Sequence, residues 1–173
     1  MLSKLLQLLG ILVLVPTVAI VTLQRKHLDD DGPSLVFAGG PLLTGGIYRG
    51  REPDWSFLAE ADQLELQLYD PVRSYLVLPV VVNGRLSAVA PKMDAVLRTF
   101  RSHWAEHAVQ GDGAALIRVN GVRYPRTITR IVQGGVLDGV AGVLTRQHNM
   151  PTTRQSIIGG NLWVFELTPR ASR

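Results

Sequence analysis

The chain has 173 residues, of which 46% are hydrophobic, 18% charged and 6% aromatic, with 17 Gly, 10 Pro and no Cys. That length holds one domain and not two, and the missing Cys excludes a disulfide scaffold, a thiolate zinc site and a cysteine nucleophile. The formal charge of +4 invites a nucleic-acid reading, but Lys4, Arg25 and Lys26 flank an apolar run, and the rest carries 15 basic against 14 acidic side chains. Without a basic stripe or interleaved aromatics, no nucleic-acid partner is expected.

The run from Leu5 to Leu23 carries no charge. As a helix it measures roughly 28 Å, close to the hydrocarbon thickness of a bilayer, and Gly10 and Pro16 are tolerated in such helices. Residues 1–27 are therefore expected to be a membrane anchor with the lipid bilayer as partner, placing the protein as a single-pass inner-membrane protein. The rival is a cleaved leader with Lys4 as its basic region and a poor cleavage site at Thr17-Val18-Ala19. Lys4 on one side and Arg25 and Lys26 on the other leave the orientation open.

Residues 28–70 balance two Arg, Arg49 and Arg51, against nine acids, whereas residues 71–173 balance 13 basic residues against five acids. Two readings follow: the acidic segment folds over the basic half of its own chain, or the basic half forms a cationic pocket for an anionic ligand. Residues 28–62 read as a Gly/Pro-rich wrapping segment, with tight turns at Gly39-Gly40-Pro41 and Gly45-Gly46. Asp54 is placed to cap a short helix through about Ala61.

Residues 63–173 read as the folded domain. Leu64-Glu65-Leu66-Gln67-Leu68 alternates as a half-buried strand. Ser74 to Val82 is apolar on both faces, and Pro79 within it asks for a bulge or an unpaired position. Asn83-Gly84 then predicts a type I′ turn into Arg85–Ala90, and Asn120-Gly121 predicts the same device between Ala114–Val119 and Val122–Val132. Met93, Val96, Leu97, Phe100, Trp104 and Ala108 follow helical spacing over 93–109. A weaker helix covers 136–147, and Trp163–Leu167 makes a last strand. The fold class is α+β: an N-terminal transmembrane helix followed by a small split β-barrel with one or two packed helices.

The element order, the two Asn-Gly hairpins and the Trp-bearing helix resemble the split β-barrel of flavin-binding proteins, closest to the deazaflavin-dependent nitroreductase and quinone-reductase branch. The match runs from about Leu76 to Val132, with Trp163 to Arg170 as last strand. It departs from the family where Ala90-Pro91-Lys92-Met93 replaces a small-residue loop. The stretch from Gly39-Gly40-Pro41-Leu42 to Glu52-Pro53-Asp54-Trp55-Ser56-Phe57 also resembles a group of uncharacterised bacterial membrane-anchored proteins. The resemblance implies FMN or a deazaflavin as cofactor, with a cofactor-free barrel as the equal alternative. Lys92, Arg98, Arg101, Arg118 and Arg123 would hold the cofactor phosphate and Trp104 would wall the isoalloxazine. Hydride chemistry would then belong to the cofactor, with a quinone-like acceptor. The alternative is a non-catalytic accessory or assembly subunit of a larger membrane complex; a homodimer is a further possible partner arrangement.

Two constellations carry separate chemistry. His103-Trp104-Ala105-Glu106-His107 spells H-x-x-E-H, the inverted zinc-protease signature. A third ligand would come from Glu166, Asp138 or His148 by residue type alone, and the competing reading is a solvated polar face, so no metal is assigned. A two-residue turn at Asn120-Gly121 sets Arg118 opposite Arg123, an unfavourable pairing unless water or a shared anion separates the charges. Arg126 and Arg130 fall on the other face of the same strand.

Overall fold

Both Asn-Gly pairs take the conformation that a two-residue hairpin demands. Asn83 and Gly84 have φ of 51° and 75°, and Asn120 and Gly121 have 49° and 73°, the left-handed values of a type I′ turn. The computed structural model describes residues 2–34, 38–91 and 104–170. In chain order it holds α1 (Leu2–His27), β1 (Gly46–Ile47), a 3-10 turn (Trp55–Leu58), β2 (Leu64–Tyr69), β3 (Val72–Val82) and β4 (Arg85–Pro91). There follow α2 (Trp104–Gln110), β5 (Ala114–Val119), β6 (Val122–Ile131), α3 (Val136–Gln147), α4 (Arg154–Ile158) and β7 (Leu162–Pro169).

Six of the strands close on themselves. The order β6-β5-β2-β3-β4-β7 returns to β6 through a direct β6–β7 pairing, and every pair in the ring is antiparallel. The expected α+β class with a small β-barrel and packed helices thus stands. Period-two alternation sends Leu64, Leu66, Leu68, Ala115, Ile117, Val119, Ile128, Phe165 and Leu167 into the barrel, where Trp55, Trp104 and Tyr75 join them. A second core lies outside the ring, where Leu137, Val140, Ala141 and Leu144 of α3 cover Val80, Val89 and Val164.

The prolines are accommodated without a bulge. Counting from each two-residue turn, Pro79↔Ala88 and Leu116↔Pro125 fall at non-hydrogen-bonded positions. Each missing N–H therefore points away from the hairpin partner. Pro79 lies beyond the end of β2, whose pairing with β3 stops at Leu64↔Val77. Pro125 lies between the stretch of β6 that pairs β1, Val122 and Arg123, and the stretch that pairs β7, which begins at Arg126. At that interval, where the Arg170 amide bonds Pro125 O at 3.2 Å, the candidate site forms.

The inner-membrane placement is overturned. Among the described residues no helix is long and apolar enough to cross a membrane. Of the helix expected over 93–109, residues 93–103 lie outside the described residues, and α2 forms the remainder.

Candidate functional site

Residues 28–34 and 38–52 form a strap across the outer face of β5, β2 and β3. Gly39 bridges Ser74 in both directions, and the Ser74 hydroxyl donates to Gly40 O at 2.6 Å. The Gln67 side chain accepts the Leu42 amide at 2.7 Å. The acidic segment therefore does fold over the basic half of its own chain, and Arg118 and Arg123 meet there. Arg118 pairs directly across the sheet with Glu65 and donates from Nη1 to Asp31 Oδ1 at 2.8 Å and to Thr44 Oγ1 at 2.9 Å. Arg123 donates from Nε to Gly45 O at 2.8 Å and from Nη1 to Leu42 O at 2.9 Å. The like-charge pair predicted at the hairpin is present, Arg118↔Arg123, with the strap's own oxygens around it.

Electrostatics follow from those bonds. Partial burial raises the Asp31 pKa, but bonds from the Thr44 hydroxyl, the Leu43 amide, Arg118 and the Thr44 amide outweigh it and draw the carboxyl down to about 2. Glu65 hydrogen-bonds Arg118 and holds its guanidinium protonated against the opposing effect of burial.

Where the strap leaves β1, the Tyr48 amide bonds Arg123 O at 2.8 Å, and Tyr48 tilts against Tyr124 with ring centroids 4.8 Å apart. Between this end of the strap and the end of β7 opens a cleft of about 250 Å³, lined by Tyr48, Arg49, Gly50, Glu52, Tyr124, Pro125, Arg126, Pro169 and Arg170. Three arginines and one glutamate are among these residues. Arg49 and Arg170 are exposed; Arg126 is only 2% exposed. Arg126 shares the inward register of Ile128, with the small Ala115 opposite it on β5. Its Nη1 donates to Glu52 Oε2 at 2.7 Å, and its guanidinium lies 4.9 Å from the Trp55 ring centroid and 5.7 Å from that of Tyr124. Its Nε is buried and has no hydrogen-bond partner. The other Glu52 oxygen accepts the Trp55 indole N–H at 2.6 Å, so each Glu52 oxygen already holds one neighbour.

A phosphate monoester fits this arrangement. Three arginines and one carboxylate leave two uncompensated positive charges, the charge of a phosphate dianion, and arginine forks suit its oxygens. The volume is below the 300–1,000 Å³ usual for a cleft enclosing a whole organic ligand. The cleft thus has room for a phosphate group and not for a whole ring system attached to it.

Of the residues singled out in the sequence, Lys92, Arg98, Arg101 and His103 lie outside the described residues. Trp104 is buried in the barrel against Phe165, with ring centroids 5.1 Å apart. His107 meets the Tyr75 hydroxyl at 2.9 Å, and among the described residues no three His, Cys, Asp or Glu side chains gather as a metal would need. Sequence reasoning passed over Arg49, Glu52 and Arg170 and placed Arg126 without a role. The available signal was an arginine at an inward position, two residues from Ile128 on a strand whose alternation is otherwise plain.

No family model matches the sequence, and no curated protein matches it. Among solved structures, the chain is similar to ChuZ of Campylobacter jejuni at 11% identity, with 66% of this chain and 50% of that one covered and a TM-score of 0.44; it thus spans half the length of that protein. It is also similar to a conserved hypothetical protein of Mycobacterium tuberculosis, at 10% identity over 72% of this chain and 83% of that one, with a TM-score of 0.47. An FAD-binding protein of Mesorhizobium loti aligns at 9% identity over 80% of this chain and 95% of that one, with a TM-score of 0.41. None of these reaches 0.5, so the fold description rests on the strand pairing itself.

Proposed function

We propose that the barrel binds a phosphate-bearing flavin or deazaflavin and serves as a reductase, with the cofactor phosphate in the cleft between Arg49, Arg126 and Arg170. One observation carries this reading: a guanidinium 2% exposed, with a buried Nε lacking a partner, beside two further arginines and a single carboxylate that is bonded to the Trp55 indole and to Arg126 itself. Leaving such a donor unpaired costs about 1–3 kcal/mol; Nε is closed to solvent, so the Arg126 side chain must turn within the cleft for a phosphate oxygen to reach it and remove that penalty. Arg126 would anchor the anion, Arg49 and Arg170 would neutralise it from the rim, and Tyr48 and Tyr124 would present aromatic faces beside it. Electron transfer would be the flavin's own chemistry; the chain supplies binding and orientation.

The test is a fluorescence titration of the full-length protein with FMN, and with a deazaflavin carrying the same phosphate. Saturable binding that weakens at least ten-fold in Arg126→Met supports the reading; absence of binding to either cofactor and to inorganic phosphate refutes it. A second reading, a non-catalytic accessory subunit, is favoured by the engagement of Arg118 and Arg123 with the chain's own strap. It predicts a protein that leaves both cofactor spectra unchanged.

A further inference from the structure

The cleft has two walls of different origin. Tyr124, Pro125, Arg126, Pro169 and Arg170 belong to barrel strands or their immediate end, whereas Tyr48, Arg49, Gly50 and Glu52 belong to the strap. The strap wall is joined to the barrel through β1, which is only two residues long, exposed, and parallel to β6 through Gly46↔Val122 and Ile47↔Arg123. Parallel pairing is the weaker kind per residue, and two residues of it are far short of an independently stable element. The downstream end of this wall is held by Glu52, which accepts from Arg126 and from the buried Trp55; its upstream end needs a fixture of its own.

The geometry points to Asp31 and Arg118 as that fixture. We infer that they are positioning residues: a latch that sets the strap wall of the cleft although neither residue lines it. The Asp31 carboxylate accepts the Leu43 amide at 2.7 Å and the Thr44 amide at 3.2 Å, together with the Thr44 hydroxyl. The Arg118 guanidinium spans from Glu65 on β2 to Asp31 Oδ1 and Thr44 Oγ1, with a longer bond to Asp31 O at 3.4 Å. One ion pair therefore ties both Asp31 and Thr44 to the barrel. Thr44 is followed at once by Gly45, whose φ of +95° and close approach to Gly121 O turn the chain into β1. The next residue after β1 is Tyr48. Asp31 thus reaches the cleft wall through an unbroken series of bonds: Asp31 to Thr44, Gly45 O to Arg123 Nε, Tyr48 N to Arg123 O, and Glu52 to Arg126 and Trp55.

For its ligand arm this inference rests on the phosphate reading of the cleft; for its structural arm it does not. The experiment uses the full chain with Asp31→Asn, Thr44→Val and Arg118→Met. It follows hydrogen exchange at the amides of Leu43, Thr44 and Tyr48 and at the Trp55 indole, with Leu66 and Ile117 as barrel references, alongside FMN affinity. The expected result is at least ten-fold faster exchange at all four strap reporters, unchanged reference amides, and FMN bound at least ten-fold more weakly. Faster exchange confined to Leu43 and Thr44, with Tyr48 and the Trp55 indole still protected, overturns the inference, as does unchanged exchange throughout. A loosened strap with unaltered FMN affinity overturns the positioning role. If Arg118→Met also unprotects Leu66 and Ile117, the two milder variants decide. If the parent protein binds neither FMN nor phosphate, the proposed function fails while the exchange measurements still decide the latch.

Discussion

Arg126 and Glu52 form a pair whose two halves should differ sharply in what their loss costs. Arg126 is 2% exposed and Glu52 is 39% exposed. Arg126→Met keeps the aliphatic stem in the barrel and removes one charged hydrogen bond, about 1.5–3 kcal/mol, and a cation–π contact of about 1 kcal/mol. It also relieves the unpaired Nε, which had cost about 1–3 kcal/mol. The released Glu52 carboxylate keeps its bond to the Trp55 indole and meets solvent. The net destabilisation is about 1 kcal/mol. Glu52→Gln instead leaves a guanidinium buried without its counter-ion, the situation in which breaking an ion pair costs about 3 kcal/mol. The double variant should return close to the level of Arg126→Met, a non-additivity of about 2–3 kcal/mol. Urea unfolding at pH 7, compared at constant slope, measures all three. Arg126→Met costing more than Glu52→Gln, or additive losses, would refute the reasoning that the buried guanidinium depends on Glu52 as its counter-ion.

Other expectations follow from the same geometry. A Cβ at Gly45 would collide with Gly121 O at a φ of +95°, so Gly45→Ala should destabilise by about 1–3 kcal/mol in urea and expose the strap to protease ahead of the barrel. The Asp31 carboxyl ionises at about 2 rather than 3.8, so its contribution is complete above pH 4 and disappears as the pH falls through 2. With the side chain 27% exposed, that contribution is about 1 kcal/mol after allowing for solvent screening. Acid titration of stability for Asp31→Asn should lack this component between pH 4 and 2; curves parallel to the parent in that range would contradict it. Burial pushes the Tyr75 hydroxyl up to about 12 against the opposing charge of Arg73. Ultraviolet titration of Tyr75→Phe should therefore lose the latest-ionising phenol, and its stability should fall by about 1 kcal/mol with the bond to His107.

Local chemistry in the sequence was enough to place much of the barrel. Asn83-Gly84 and Asn120-Gly121 fixed two hairpins and their register, because a two-residue turn leaves no freedom in which residues face each other. That register put Arg118 opposite Arg123. Asp54 caps the turn it was expected to cap, accepting the Ser56 amide, and α3 covers the expected 136–147. What could not be read was the destination of the charges. The apposed arginines were open to either an external anion or the chain's own acids, and only tertiary placement of the strap brings Asp31 to Arg118 across 87 positions. The cleft was equally hidden. It exists because β1 and β7 claim different stretches of one β6 edge, a fact of sheet closure that no local pattern encodes. The apolar run of α1 supported a membrane reading on composition alone, which the described helix does not sustain.

The most direct test is to compare FMN with riboflavin, which differ only in the phosphate, by fluorescence titration of the full-length protein. Two charge-assisted bonds from the cleft arginines contribute about 3 kcal/mol together, so FMN should bind about 100-fold more tightly. Arg126→Met should remove most of that difference without altering riboflavin affinity. Equal affinities for the two flavins, or a preference for FMN that survives in Arg126→Met, would contradict the assignment of the cleft as the phosphate site.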